Sequence, residues 1–369
     1  MLVEPAGPGV SAPLRIRRIR EGGAGVSGGP RSSPDEFGLG DFKPGTVADP
    51  AAEGVRMHGR AFFKVPGEGN ASCSGTAITS NRKNLVLTAG HCVHGGGYPA
   101  PWFKKWIFIP GYENGNAPYG VWEAKRLYST GLWTEFAVPN ADYALVVMRR
   151  LKGKRLQNVV GSRGIAFNRR PDQRYVSYGY PAQGNFDGET EHTCTAQLAG
   201  TDENTEKLPG PTTIRIGCDM TGGSSGGSWV INDRYAASLN SYGYPDLPDF
   251  MYGPQFTEVA RDLYRAAQAS CRGKVATQVG TNSKDRIVGT KRRDVIVGGG
   301  GGDVIVGKGG NDLICGGGGP DKLRGDAGKD ALIGQSGGDR LAGGKGKDVC
   351  KGGRGKNRGA GCESKSRLR

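Results

Sequence analysis

Between about residues 55 and 255 the chain carries short apolar or alternating runs, among them Arg60–Val65, Leu85–Thr88, Trp106–Ile109, Tyr143–Met148, Tyr175–Tyr178, Ile214–Cys218 and Trp229–Ile231. Clusters of Gly, Asn, Asp and Pro separate them. Runs this short, broken this often, predict many short strands joined by turns, closed into a barrel or sandwich. Over Phe256–Ala269 the period changes. Val259, Leu263, Tyr264 and Ala267 recur at helical spacing and predict a closing helix.

From Gly280 the pattern changes again, to a strict period of nine. Glycine recurs at every ninth position from Gly280 to Gly352, with an aspartate five residues after each, from Asp285 to Asp348, and Asn357 last. Two residues beyond stands an apolar side chain: Ile287, Ile296, Ile305, Ile314, Leu323, Leu332, Leu341, then Cys350. Glycines permit a tight turn, the aspartate supplies a carboxylate, and the apolar residue points inward on a short strand. Two such units make one coil of a parallel β-roll, so loops eighteen residues apart stack and can cage a hard cation between them.

Composition sharpens this division. The 66 glycines of the 369 residues pile up after residue 296. Residues 1–54 are rich in Gly, Pro, Ser and Arg without a sustained period and are expected to be a disordered leader or pro-segment. Residues 55–270 and 271–369 are expected to form the strand-rich and repeat domains. No run of eighteen apolar residues predicts a membrane span. Net charge is +15, and from Gly280 onward nineteen Lys and Arg face ten Asp and Glu. Such an excess most often marks a soluble basic surface, and it also suits an anionic cell surface or nucleic acid. No zinc-finger or RNA-recognition motif accompanies it, so nucleic acid is not an expected partner.

The eight cysteines are 73, 92, 194, 218, 271, 315, 350 and 362. None forms a C-x-x-C pair, which argues against zinc or thioredoxin-like use. An even number in loop-rich sequence predicts disulfides and an oxidising compartment. Sequential pairing is the simplest of many connectivities: Cys73–Cys92, Cys194–Cys218, Cys271–Cys315 and Cys350–Cys362. Residues 1–20 lack the apolar core of a signal peptide. The cysteines weigh more, and an extracellular location is expected.

Three segments carry candidate chemistry, in this order: Thr88-Ala89-Gly90-His91-Cys92, Asn140-Ala141-Asp142-Tyr143-Ala144-Leu145, and Gly223-Ser224-Ser225-Gly226-Gly227. A serine hydroxyl is a poor nucleophile at neutral pH and needs a base, which itself needs orienting. His91 is the expected base, Asp142 its orienting partner and Ser225 the nucleophile. The glycines let the backbone turn so that the amides of Gly223 and Ser225 can point at one oxyanion. His94 is a rival base without the Ala-Gly context. His58 and His192 are expected to be structural or surface residues.

With Cys73-Ser74-Gly75-Thr76 as a fourth match, residues of about 55–268 resemble the trypsin/chymotrypsin family, most closely its bacterial glutamyl-endopeptidase branch. The resemblance implies an all-β fold, a double six-stranded β-barrel with the triad in the cleft, and a serine endopeptidase acting on proteins or peptides with no cofactor for the chemical step. It also implies a Cys73–Cys92 staple on the His91 loop. Met220, Asn240, Ser241, Tyr242 and Gly243 fall at substrate-binding positions, although Tyr242 serves equally well as barrel packing. Two departures stand out. Ser224 replaces the aspartate that a freed N-terminal amine pairs with in related zymogens, and Asn240 replaces the histidine of glutamate-specific relatives. Asp219 does not by itself specify a preference for Arg or Lys.

The nonapeptides resemble the RTX calcium-binding repeat. That resemblance implies a parallel β-roll holding Ca2+, with Asp303, Asp312, Asp321, Asp330, Asp339 and Asp348 as candidate ligands. The loops before Asp285 and Asp294 are degraded, so fewer ions than repeats are expected. Two other functions compete. A binding protein with a dead barrel is disfavoured by the complete triad. An α/β-hydrolase esterase is disfavoured because there the serine precedes the histidine.

Overall fold

A computed structural model describes residues 43–44, 54–281 and 283–367. The leader expected over residues 1–54 lies almost wholly outside them. The chain divides into two compact units between Leu263 and Tyr264.

In the first unit, strands His58–Val65, Gly69–Ile78, Leu85–Thr88, Ala144–Met148, Trp122–Ser129 and Lys104–Pro110 close in that order into a six-stranded barrel. All its pairings are antiparallel. Leu85–Thr88 and Ala144–Met148 are buried along their whole length, so their near-continuous apolar text reflects a fully covered pair of strands. Gly69–Ile78 and Trp122–Ser129 were not legible as strands. Their small and charged residues give no alternation, and pairing with neighbours decides their conformation.

The second half of this unit is a nine-stranded sheet. It runs Tyr242–Tyr244, Leu247–Gly253, Ile214–Gly217, His192–Thr201, Arg174–Gly179, Ser228–Ile231, Tyr235–Leu239, Gly164–Ile165, with residues 43–44 paired to His192–Thr201. Its core gathers Tyr175, Ile216, Met220, Trp229 and Met251 around Cys194 and Cys218. Each large side chain buried this way contributes about 1.5–3 kcal/mol. The expected closing helix spans Glu258–Gln268.

The second unit is a parallel β-solenoid of two sheets. One runs through Gln278–Val279, Val295–Gly300, Leu313–Gly318, Ala331–Ser336, Val349–Arg354 and Ser364–Ser366. The other runs through Arg286–Val288, Val304–Val306, Lys322–Ala327, Arg340–Lys345 and Arg358–Ala360. Partners such as Ile296↔Ile314 and Ile305↔Leu323 are eighteen residues apart. The period-nine apolar ladder, Ile287 through Cys350, is the buried core.

All four disulfides join the cysteines in sequential pairs. Among the described residues no helix is long and apolar enough to cross a membrane.

Candidate active site and cation ladder

His91 lies on a single 3-10 turn, Gly90–Cys92, directly after strand Leu85–Thr88. Disulfide Cys73–Cys92 ties that turn to the neighbouring strand, and the Trp106 indole donates to the Cys92 carbonyl at 3.0 Å. Asp142 ends another 3-10 turn, Pro139–Ala141, just before strand Ala144–Met148. Because these strands are adjacent in the barrel, the two side chains meet. Asp142 Oδ1 accepts the His91 amide and Oδ2 accepts His91 Nδ1, both at 2.7 Å. The carboxylate thus fixes both the loop and the ring, and with Nδ1 donating, Nε2 is left as the basic nitrogen. Burial disfavours the imidazolium, but the Asp142 charge and hydrogen bond outweigh it and raise the His91 pKa above its ordinary 6.5.

Ser225 sits on the turn before strand Ser228–Ile231. Gly223 and Gly226 both have positive φ there, +101° and +84°. A Cβ on Gly226 would lie 2.2 Å from Thr88 Oγ1 and 2.6 Å from the Ser74 carbonyl. Only glycine lets this turn come so close to the His91 strand. Ser74 completes the clamp: its amide donates to the Ser225 carbonyl at 2.7 Å, and its hydroxyl donates to the Gly223 carbonyl at 2.9 Å. Among the described residues the Gly223 and Ser225 amides donate to no acceptor, and the half-buried Ser225 hydroxyl has no hydrogen-bond partner. Free amides are what an oxyanion requires, and hydrogen bonds between nucleophile and base are often loose before substrate arrives.

The substrate-binding positions separate. Ser241 donates its hydroxyl to Asp142 Oδ2, so it supports that carboxylate. Asn240 is fully buried. Its oxygen accepts from Ser177 and Trp229, and its amide donates to the carbonyls of Tyr178 and Ser224. That spends the whole side chain inside the fold, behind the Ser225 turn. Met220 is buried in the second core, its sulfur 3.7 Å from the Asn240 amide. Tyr242 donates to Asp202 at 2.6 Å and stacks on Tyr252, which is the packing role. Tyr242 and Gly243 nevertheless lie on strand Tyr242–Tyr244, at one end of the sheet path, where a free edge can accept another strand.

The other histidines are placed away from base chemistry. His94 is buried, and burial holds its pKa down at about 4 while its Nδ1 accepts from the Gly96 amide. His58 is buried against Tyr178 and Arg163, with its pKa well below normal. Ser224 is buried and bonds the Thr221 carbonyl.

Sequence reasoning also passed over Trp133. Its ring lies 6.2 Å from that of His91, and its indole donates to the His94 carbonyl. It rides on the short helix Gly131–Phe136, which carries no periodic signal.

In the solenoid the aspartates form two ladders. Oδ1 of Asp303, Asp312, Asp321, Asp330 and Asp348 each accepts the amide of the aspartate eighteen residues earlier, at 2.7–2.9 Å, and Asp339 accepts from Asp321 at 3.0 Å. The second oxygen, Oδ2, is buried and unpartnered in all six. It lies over the glycine five residues before it; a Cβ on Gly316 would be 2.3 Å from Asp321 Oδ2. The spacing of glycine and aspartate in the repeat is therefore steric. In Asp285 and Asp294 that oxygen is satisfied by the amide and hydroxyl of Thr281 and Thr290.

Asn357 reports on the surroundings of the second oxygen. Its Oδ1 takes the ladder amide of Asp339, and its amide donates toward the carbonyls of Gly353, Gly355 and Arg367. A carboxylate oxygen in such carbonyl-rich surroundings suits a hard cation, and the donor set fits calcium. Elsewhere among the described residues, Cys73–His91–Cys92 and Cys194–Cys218–Asp219 are close enough to share a metal. Their sulfurs are already spent in disulfides.

Comparison with known proteins agrees with this division. Residues 73–235, which contain His91, Asp142 and Ser225, match the trypsin-like peptidase domain. Residues 279–314, 314–341 and 324–358 match the RTX calcium-binding nonapeptide repeat. No curated protein matches the chain. The crystal structure of protease Anisep from Arthrobacter nicotinovorans is 38% identical over 62% of this chain and 99% of that one, with a TM-score of 0.56. The thermostable serine protease AL20 from an extremophilic microorganism is 35% identical over 58% of this chain and 98% of that one, with a TM-score of 0.54. The chain belongs to the trypsin-like serine proteases, and RTX calcium-binding repeats follow its peptidase domain.

Proposed function

We propose that the protein is a secreted serine endopeptidase working through an acyl-enzyme on Ser225. The observation that carries this is the double grip of Asp142 on His91, set beside a clamped turn whose two amides are free. His91 Nε2 takes the Ser225 proton as Oγ attacks the scissile carbonyl carbon. The Gly223 and Ser225 amides hold the oxyanion. His91 then gives the proton to the departing amine, leaving an ester on Ser225. Water, deprotonated by the same nitrogen, hydrolyses the ester and restores the serine. Ser241 supports Asp142, and the strand Tyr242–Tyr244 pairs with the substrate backbone.

Calcium belongs to the repeat domain, where Asp303, Asp312, Asp321, Asp330, Asp339 and Asp348 hold it. When bound it neutralises the buried carboxylates and so couples ion binding to folding of the roll. The basic repeat domain serves as an attachment module for an anionic cell surface. Four disulfides suit an extracellular location.

Ser225→Ala tests the chemistry. Peptidase activity should fall by roughly a million-fold, as in related triads, and labelling by a serine-reactive phosphonate should vanish while the circular dichroism spectrum is kept. Activity near the parent level would defeat the assignment of Ser225.

A further inference from the structure

The two sheets of the solenoid present different outer faces. Strand alternation turns the apolar ladder inward and the residues on either side of it outward. On the longer sheet the outward Val295, Leu313 and Cys315 are buried against Cys271, with Val297, Ala331 and Ile333 packed on them. Among the described residues, the outward positions of the shorter sheet have no such cover. There one in-register column reads Arg286, Val304, Lys322, Arg340, Arg358. All four basic residues are exposed, and none has a salt-bridge or hydrogen-bond partner among the described residues. The adjacent column holds Val306, Arg324 and Ala342, and Arg324 is paired to Asp326. The face lines a groove of about 780 Å³ whose lining includes no acidic side chain and no aromatic ring; Asp326, the partner of Arg324, lies beside that lining.

We propose that this groove is the docking site for a linear uronate polysaccharide. The proposal rests on the attachment reading above and names its ligand. Rungs of the sheet are about 4.8 Å apart, so Arg286, Lys322 and Arg358 stand on alternate rungs, about 10 Å from one to the next, with Arg340 between the last two. An extended chain of 1,4-linked uronate rings advances by close to one rung per ring and turns a carboxylate to the same side at about every second ring. Its charges therefore fall in step with the column. Val306 and Ala342, in the adjacent column, offer the apolar floor on which the C–H faces of the rings can rest. A single-stranded nucleic acid would require stacking partners that this face lacks.

The test uses the full chain carrying Ser225→Ala, in calcium, titrated with a 1,4-linked polymannuronate oligomer. Parallel arms use an uncharged 1,4-glucan, polyphosphate and oligothymidylate. Lys322→Ser, Arg340→Ser and Arg358→Ser combined should weaken uronate binding about tenfold or more. Lys104→Ser, Lys105→Ser and Lys125→Ser combined remove the same charge from the peptidase unit and should leave binding close to parent. Val304→Lys fills the missing rung and should tighten binding about two- to fivefold, which keeps the test decisive if the triple ladder variant does not fold. Equal loss in both triple variants, tighter binding of polyphosphate or oligothymidylate, or no uronate binding by the parent would overturn the proposal. Depletion of the protein on whole bacterial cells is read separately. Oligomer binding without depletion would sink the attachment reading and support the docking site.

Discussion

Asp321→Asn separates two tasks that one carboxylate performs. Asp321 Oδ1 accepts the Asp303 amide at 2.9 Å, while Oδ2 is buried without a partner. Asparagine keeps an oxygen for the ladder and removes the charge, and Asn357 already occupies the equivalent place in its own coil. In the absence of calcium, burial, together with the Asp303 and Asp339 charges, raises the Asp321 pKa from 3.8 to about 7. Above the ordinary carboxylate range the folded state then binds more protons than the unfolded chain. Stability is therefore lost as pH rises through about 7, and the full cost is present at pH 8. The variant escapes that cost. In chelator at pH 8 it should be more stable than the parent by about 1–3 kcal/mol, allowing for solvent screening, and at pH 4 the two should match. In calcium the sign reverses, because the ion has lost a charged ligand. Asp321→Ala escapes the same charge cost but also orphans the Asp303 amide, so it should be less stable than Asp321→Asn by roughly 1–3 kcal/mol in either condition. Hydrogen exchange of peptides across residues 295–350, read in the Ser225→Ala background by mass spectrometry, reports these differences within the solenoid. Equal destabilisation by Asp321→Asn in chelator and in calcium would refute the reasoning and reduce the carboxylate to a hydrogen-bond acceptor.

Two further outcomes are expected. kcat/KM should rise with pH along an acid limb centred above 6.5, because Asp142 raises the His91 pKa and only the neutral ring can act as base; a profile flat from pH 5 to 9 would contradict His91. Replacing Cys73 and Cys92 by Ala opens a loop with a sequence separation of 19 and should cost about 3 kcal/mol in the chain-entropy model, seen as a lower urea midpoint of the peptidase unit; an unchanged midpoint would assign the bridge no role in stability.

Much of this protein was legible in the sequence, because its two main signals are local. The nine-residue period needs only translation: one coil repeats the last, so Ile287 through Cys350 stack whatever else the chain does. The segments around His91, Asp142 and Ser225 announce themselves because each fixes a tight turn with its neighbouring residues. The expected helix and several core strands were legible for the same reason, a short period over a short run. What tertiary structure decided is which distant residues support these segments. Ser74 clamps a turn 149 residues away, Ser241 reaches an aspartate 99 residues away, and Asn240 spends its amide on backbone carbonyls behind the Ser225 turn. Motif text marks these residues but not these roles, since a serine or asparagine in a strand reads the same whether it faces solvent or a buried partner. The basic column on the solenoid was visible only as excess charge. Among the described residues, four of those basic residues stand exposed on one face because strand alternation and an eighteen-residue coil place them there, and because a disulfide-linked segment covers the other sheet.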